Sequence, residues 1–518
     1  MKLLKIKFFP NIGLWLLLAA VFLWTINLGG VALRDWDEGY YALVARQMYR
    51  TGNFLYPLLH DKPFDKPPLG EWLIAASYYL FGVSEFSTRL PLAFFSAWGV
   101  PLIYWIGREI FTNPITNKIA AIFSALVYLT LLPVVRHGRL AMHDGITVTL
   151  FLLLLLSLLK IQQNKLWALV PGLAFGLLIL ARGEMALVLG AIAILYLFLD
   201  QRLSLLKIPD LWLGLIITNI PIIAWYVIQG QQYGGEFWQG RLFGPLLTRI
   251  VQPFHNHDGP PWYYILELIK YSFPWLIFLP QSLILTWQNR RSSWGKLILA
   301  GLIVYGLIIS IMRTKLPWYI MPIYPFIALS IGVKLADIWS NRQAYPQIWQ
   351  WLLSLPILVG LGGCVYFTLT NQISLIPLAI SLILVFAGVV WLINQQQPKF
   401  ILTLFIGVYI VLTIFVNSPV WVWELNENFK VKPVADLIKN HTPVDTIIYT
   451  SFSYSRPSLD FYSDRQIKSA AIDELKARWL QQSYLLLDSA SFQSLQLSHS
   501  KSLGSAEDFT LIVPAHKN

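Results

Sequence analysis

Three carboxylates fall within four residues of the stretch Arg34-Asp35-Trp36-Asp37-Glu38-Gly39-Tyr40-Tyr41, directly after an apolar run. Asp35 and Glu38 stand at the D-x-x-E spacing of a capping box, and acids in a first helical turn complement the helix dipole. Asp37 is left over, in the first turn at the rim of an apolar span, where perturbed carboxylates are often functional. A second cluster, HDKPFDKPPLGEW, puts Lys66 after Asp65 on a stiff proline turn just before a helix start. An ammonium beside free helix amides attracts an anion such as phosphate; the plain alternative is a turn with snorkelling lysines.

Three further clusters follow. RHGRLAMHDGIT carries Arg136, His137, Arg139, His143 and Asp144, of which Asp144 suits capping of the next helix as well as binding. PFHNHDGPPWYY offers His255, His257 and Asp258, a spacing that can ligate a divalent metal, with Asp65 as a further possible ligand. RTKLPWYIMP sets Arg313 and Lys315 before Trp318 and Tyr319, as an interfacial anchor would. Taken singly each has a structural explanation. All five fall on one side of the membrane in the orientation derived next, and polar groups gathered at one membrane face mark a site.

The elements that must position these residues are mostly membrane helices. The 518 residues are 56% hydrophobic and 13% charged, against roughly 25% charged in soluble proteins. The apolar residues come in blocks near bilayer length, roughly thirteen of them between Ile12 and Val416. The basic start MKLLKIKFF precedes a run with no clean small-x-small cleavage site, so it reads as a retained first helix. Lys and Arg alternate between short loops so as to place the N-terminus in the cytoplasm and the tail outside. The net charge of +12 therefore reads as membrane anchoring, and no basic stripe with interleaved aromatics points to nucleic acid. The one cysteine, Cys364, allows no intramolecular disulfide.

The long outer segments are 31–89, 229–270 and the tail. In the first, Tyr40, Tyr41, Val44 and Met48 recur at helical spacing, and a second helix runs from Pro68 to Gly82; both are expected to lie in the interface. The tail, 420–518, is expected to be a small, largely parallel α/β domain, with strands in DTIIYTSF, SYLLLDSA and FTLIVPAH and helices in KPVADLIKNH and AIDELKARWLQ. No nucleotide-binding glycine loop opens any of its helices. The expected fold is thus an α-helical polytopic membrane domain, 1–419, followed by this α/β domain.

DWDEGYYALVARQM, GNFLYPLLHDKPFDKPPLGEWLIAASYYLFGVSEFSTRLP and the later RLAMHDG, ARGEMAL, PWYYILELIKYSFPW and TKLPWYIMPIYPFIAL resemble, in order, the GT-C glycosyltransferases. The similar branch is that of the lipid A aminoarabinose transferase and the protein O-mannosyltransferases. The resemblance implies transfer of a sugar, with inversion, from a polyprenyl phosphate to a lipid, protein or glycan acceptor at the outer face. It places the catalytic carboxylate on Asp37, with Glu38 beside it. Lys66 falls on the lysine that contacts the donor phosphate, and Arg139 and Lys315 are further candidates for that contact. Tyr41, Asp65, His143, Asp144, His257, Trp318 and Tyr319 are expected around the substrates, with no cofactor required and a divalent metal as a lesser possibility. The sequence departs from the branch at Asp65, where glutamate is common, at Arg182, where lysine is usual, and at His257, displaced from Pro261-Trp262. The competing class, a lipid or sugar transporter, would call for repeats and for charges near the midplane.

Overall fold

The computed structural model describes residues 11–35, 37–60, 62–64, 66–112, 117–238, 257–341, 345–422, 429–453, 456–497 and 499–515. The chain divides into two compact units. One comprises Met1–Leu28, Asp65–Leu69 and Leu90–Trp421, the other Gly29–Phe64, Gly70–Arg89 and Val422–Asn518. The composition shift after Pro419 marks one boundary of this division. It does not mark the other, because most of the first outer loop shares its core with the tail.

The first unit is helical. It starts with α1 (Ile12–Thr25), apolar all round. Among the described residues, seven helices have the length and hydropathy to cross a bilayer, or nine if each of two bent pairs is one span, and four further apolar helices have 10–17 residues. Of the roughly thirteen expected blocks, seven to nine thus correspond to helices of bilayer length among the described residues. One bent pair, Asn117–Thr130 and Leu132–Arg139, turns by 60° at Leu131. Pro133, at the start of the second helix, brings no N–H and cannot continue the first. The bend ends one span early and gives the Arg136–Arg139 turn a short helix of its own.

The second unit holds α2 (Asp37–Thr51) and α3 (Leu69–Phe81, from Gly70 on). The apolar face of α2 packs on protein: Ala42 and Leu43 join Leu33 and Phe461 in one buried cluster. Its tail part is a five-stranded sheet. The strands are β3 (Ile447–Thr450), β4 (Gln466–Ser469), β5 (Tyr484–Asp488), β6 (Ser500–Ala506) and β7 (Phe509–Pro514), in the order β4-β3-β5-β7-β6; β1 (Leu58–Leu59) and β2 (Lys62–Pro63) form a separate two-residue hairpin. β3 pairs parallel with β4 and β5, whereas β7 pairs antiparallel with β5 and β6, so the sheet is mixed rather than largely parallel. The reason is β6, a polar strand (SKSLGSA) with no apolar signal, which returns on β7 as a hairpin. The helix Val431–His441 buries Val434, Ala435 and Ile438 against Ile448, Leu486 and Leu511 of the sheet.

Candidate active site

In the second unit the three clustered carboxylates have separate fates. Glu38 is fully buried and takes a two-pronged contact from Arg89, Nε to Oε1 at 2.7 Å and Nη2 to Oε2 at 2.8 Å. Arg89, equally buried, also donates to the carbonyls of Val31 and Ala32, and the Arg34 amide donates to Glu38 Oε2 at 2.6 Å. Such a pair holds the chain entering α2 in one geometry. Glu38, expected beside Asp37 at the catalytic end, is thus bound to Arg89 at the head of α2. Asp35, buried too, accepts from Arg456 Nε and from the Ser458 amide and hydroxyl. The capping-box spacing is real in the sequence, yet both acids are committed to distant side chains.

Asp37, between them, is partly exposed at the first residue of α2. The buried Tyr41 hydroxyl, one turn on, donates to its Oδ1 at 3.2 Å, and the Tyr41 ring packs edge-on to Phe64 at 6.2 Å. A carboxylate so oriented can accept a proton from a hydroxyl that approaches it.

The first unit gathers the cationic and aromatic clusters. Lys66 is partly buried on the turn before α3, and the turn's Pro67 lies against Gly183, 3.7 Å from where a Cβ would stand. Gly183 has φ +44°, the backbone that breaks Val170–Arg182 from Glu184–Leu199, and side chains are strained there. Arg182, just before the break, pairs with Asp144 at 3.4 Å. Asp144 sits in the first turn of His143–Lys160 beside the buried His143. The Tyr305 phenol donates to the Tyr319 carbonyl at 2.9 Å. His137 and Trp318 lie ring to ring at 6.5 Å.

The two further candidates for the phosphate contact, Arg139 and Lys315, both meet backbone carbonyls. Arg139 is fully buried. It donates to the Leu23 and Ile26 carbonyls at 2.6 and 2.7 Å, and its guanidinium lies 4.5 Å over the Trp421 ring. It ties the end of α1, whose last carbonyls lack helical partners, to the Leu132–Arg139 helix. Lys315 is nearly buried, and its Nζ caps the helix Gly306–Ile311 by donating to Ile309 and Ser310 carbonyls, both at 2.8 Å. Burial pushes this ammonium below its ordinary pKa. The His257 carbonyl accepts from the Lys315 amide at 2.9 Å. Asp65 and His255 lie outside the described residues, and among the described residues no three His, Cys, Asp or Glu side chains converge as metal ligands.

The residues that sequence reasoning missed are Arg89, Arg456, Ser458 and Tyr305. Only Arg89 left a trace there, as the lone charge of STRLP at the head of a span.

Residues 65–227 match the family described as dolichyl-phosphate-mannose-protein mannosyltransferase. Over 400 residues the chain is 30% identical to undecaprenyl phosphate-alpha-4-amino-4-deoxy-L-arabinose arabinosyl transferase 2 of Pseudomonas fluorescens, covering 74% of this chain and 71% of that one. Over 328 residues it is 30% identical to the protein named as such a transferase in Pectobacterium carotovorum, covering 61% of this chain. The match spans 57% of that relative's length. Among solved structures, ArnT from Cupriavidus metallidurans bound to undecaprenyl phosphate superposes with a TM-score of 0.79 at 18% identity, over 98% of this chain and 99% of that one. The archaeal oligosaccharyltransferase AglB from Archaeoglobus fulgidus shares the fold more distantly, with a TM-score of 0.52 at 14% identity over 92% of this chain and 69% of its own.

Proposed function

Because the chain belongs to the ArnT branch of the GT-C glycosyltransferases, we propose that it moves a sugar from a polyprenyl-phosphate donor to a lipid, protein or glycan acceptor at the outer face of the inner membrane. Undecaprenyl phosphate, which the relatives' names carry, is the first lipid to test. Asp37 is the base in this reading. It takes the proton of the acceptor hydroxyl as that oxygen attacks the anomeric carbon. The bond from that carbon to the phosphate oxygen breaks, and the polyprenyl phosphate leaves with the electron pair. Configuration inverts because attack and departure lie on opposite faces of the sugar. A phosphate leaves well without a general acid, so the remaining demand is fixed positive charge on its oxygens. Lys66, on its double-proline turn, meets that demand in this reading; Pro67 of that turn lies against Gly183, next to Arg182, which pairs with Asp144, and His143, Trp318 and Tyr319 are further candidates for substrate contact.

The observation that carries the reading is the division of labour among three adjacent acids. Asp35 and Glu38 are buried in ion pairs, while Asp37, at the head of the same helix, is a partly exposed residue that accepts from Tyr41. The chemistry needs no cofactor, since lysine charge serves where a metal would. The test is purified protein in nanodiscs with a panel of polyprenyl phosphate sugars, undecaprenyl phosphate-linked 4-amino-4-deoxy-L-arabinose first, with and without a chelator. The reading expects loss of sugar from one donor, an inverted product and no effect of the chelator. Movement of labelled lipid across the bilayer with every sugar–phosphate bond intact would support the transporter instead.

A further inference from the structure

α2 is fastened to the tail domain at both ends and along its middle, all within one compact unit. Before its first turn, Arg456 and Ser458 hold Asp35. Arg456 is itself fixed: it is buried, its guanidinium lies 4.0 Å over the Phe429 ring, and its Nη1 donates to the Phe429 carbonyl at 2.9 Å. In the first turn, Gly39 meets the tail backbone directly. A Cβ there would stand 2.8 Å from the Ser458 nitrogen and 2.9 Å from the Pro457 Cβ. Halfway along, Arg46 donates to the Phe461 carbonyl at 2.6 Å with its guanidinium over the Phe461 ring. At the far end, Arg50 makes two bonds to Asp464, at 2.7 and 2.9 Å.

We propose that the tail domain is part of the transfer machinery, with Arg456 as the positioning residue that sets the Asp37 carboxylate by clamping Asp35 at the head of α2. This rests on the reading of Asp37 as the base. Asp35 is two residues from Asp37, so a shift at the clamp moves the carboxylate with it. Displacement of a reacting group by about 1 Å costs up to about a hundredfold in rate. A tail that served only as ballast would need neither a buried arginine on the catalytic segment nor a glycine contact there.

The test compares wild type, Asp37→Asn, Arg456→Met, Arg456→Lys and Gly39→Ala, as full-length protein in nanodiscs. Binding of undecaprenyl phosphate counts competent molecules. Turnover of undecaprenyl phosphate-linked 4-amino-4-deoxy-L-arabinose with lipid A as acceptor gives kcat per competent molecule and donor KM. Hydrogen exchange over Asp37–Tyr41 reads the clamp without any substrate. Arg456→Met should lose about tenfold to a hundredfold in kcat, with donor KM within about twofold. Exchange at the head of α2 should rise while the membrane helices stay protected. Arg456→Lys keeps the charge and should recover part of kcat, and Gly39→Ala should fall between wild type and Arg456→Met. Should Arg456→Met not fold, Gly39→Ala and Arg456→Lys decide by the same readouts.

Wild-type kcat and exchange in these variants overturn the inference, as does a loss wholly explained by fewer competent molecules. An inactive Asp37→Asn beside such variants sinks the positioning role alone. Wild-type turnover in Asp37→Asn sinks the base reading itself.

Discussion

The acids of the first outer loop and the cations of the membrane unit are both dense clusters of charge, yet they are held in different ways. Around α2, side chain meets side chain across long stretches of sequence: Glu38 with Arg89, Asp35 with Arg456, Arg46 and Arg50 with Asp464. In the membrane unit, Arg139 and Lys315 donate to carbonyls at the ends of helices, while Arg182 pairs with Asp144. A helix end in a membrane leaves carbonyls that water cannot reach, and a long cationic side chain is an economical way to satisfy them. A conspicuous arginine or lysine beside a span is therefore weaker evidence of substrate binding than a carboxylate kept partly exposed among paired neighbours.

The sharpest way to break this contrast is to remove one half of the buried pair. Glu38→Ala leaves Arg89 buried without its counter-charge and should destabilise the second unit by about 3–5 kcal/mol. Thermal melting in detergent would show a large loss, and a melt like wild type would mean that the pair does not hold α2. Lys66→Ala comes next. It should leave melting unchanged and weaken undecaprenyl phosphate binding roughly tenfold to a hundredfold, the range of a charge-assisted contact worth about 1.5–3 kcal/mol. Arg139→Met should do the reverse, lowering stability with little change in donor affinity per folded molecule. If Arg139→Met weakened binding as Lys66→Ala does, the backbone-tying role would be wrong.

The smallest effect belongs to Asp464. Its hydrogen bonds from Arg50 hold the carboxyl below the usual aspartate range, with burial opposing them. A depressed folded pKa stabilises the fold above the unfolded value, about 3.9, and that contribution is lost as pH falls through the folded value. Both partners are partly exposed, so Asp464→Asn should cost no more than about 1 kcal/mol near neutral pH. The two melts should converge once the pH has fallen through the folded value. A difference that persisted in acid would come from packing rather than charge.

Much of this was legible in the sequence, and the rest was hidden for identifiable reasons. The helix from Asp37, the helix ending at Phe81 and three tail strands follow from periodicity, proline and apolar runs. β4 and β6 were not legible, since QIKS and SKSLGSA carry too little apolar signal and owe their extended form to neighbours. The site residues were found as types and clusters, but their roles were set by partners far away in the chain. Nothing local in DWDE reveals that Arg456 holds its first acid and Arg89 its last. Lys66 and Asp37 stand on local backbone features that their motifs define, a double-proline turn and a helix head, so their placement could be read from the sequence.

The central claim is that one carboxylate of three does the chemistry while its neighbours hold it. The direct measurement is the single-turnover rate of donor cleavage in Asp37→Asn, with undecaprenyl phosphate binding and melting followed in parallel. Asparagine keeps the size and the Tyr41 contact but not the basicity, so the rate should fall at least about a hundredfold with binding and melting unchanged. A rate within a few-fold of wild type would contradict the account, since no proton acceptor would then be required at the head of α2.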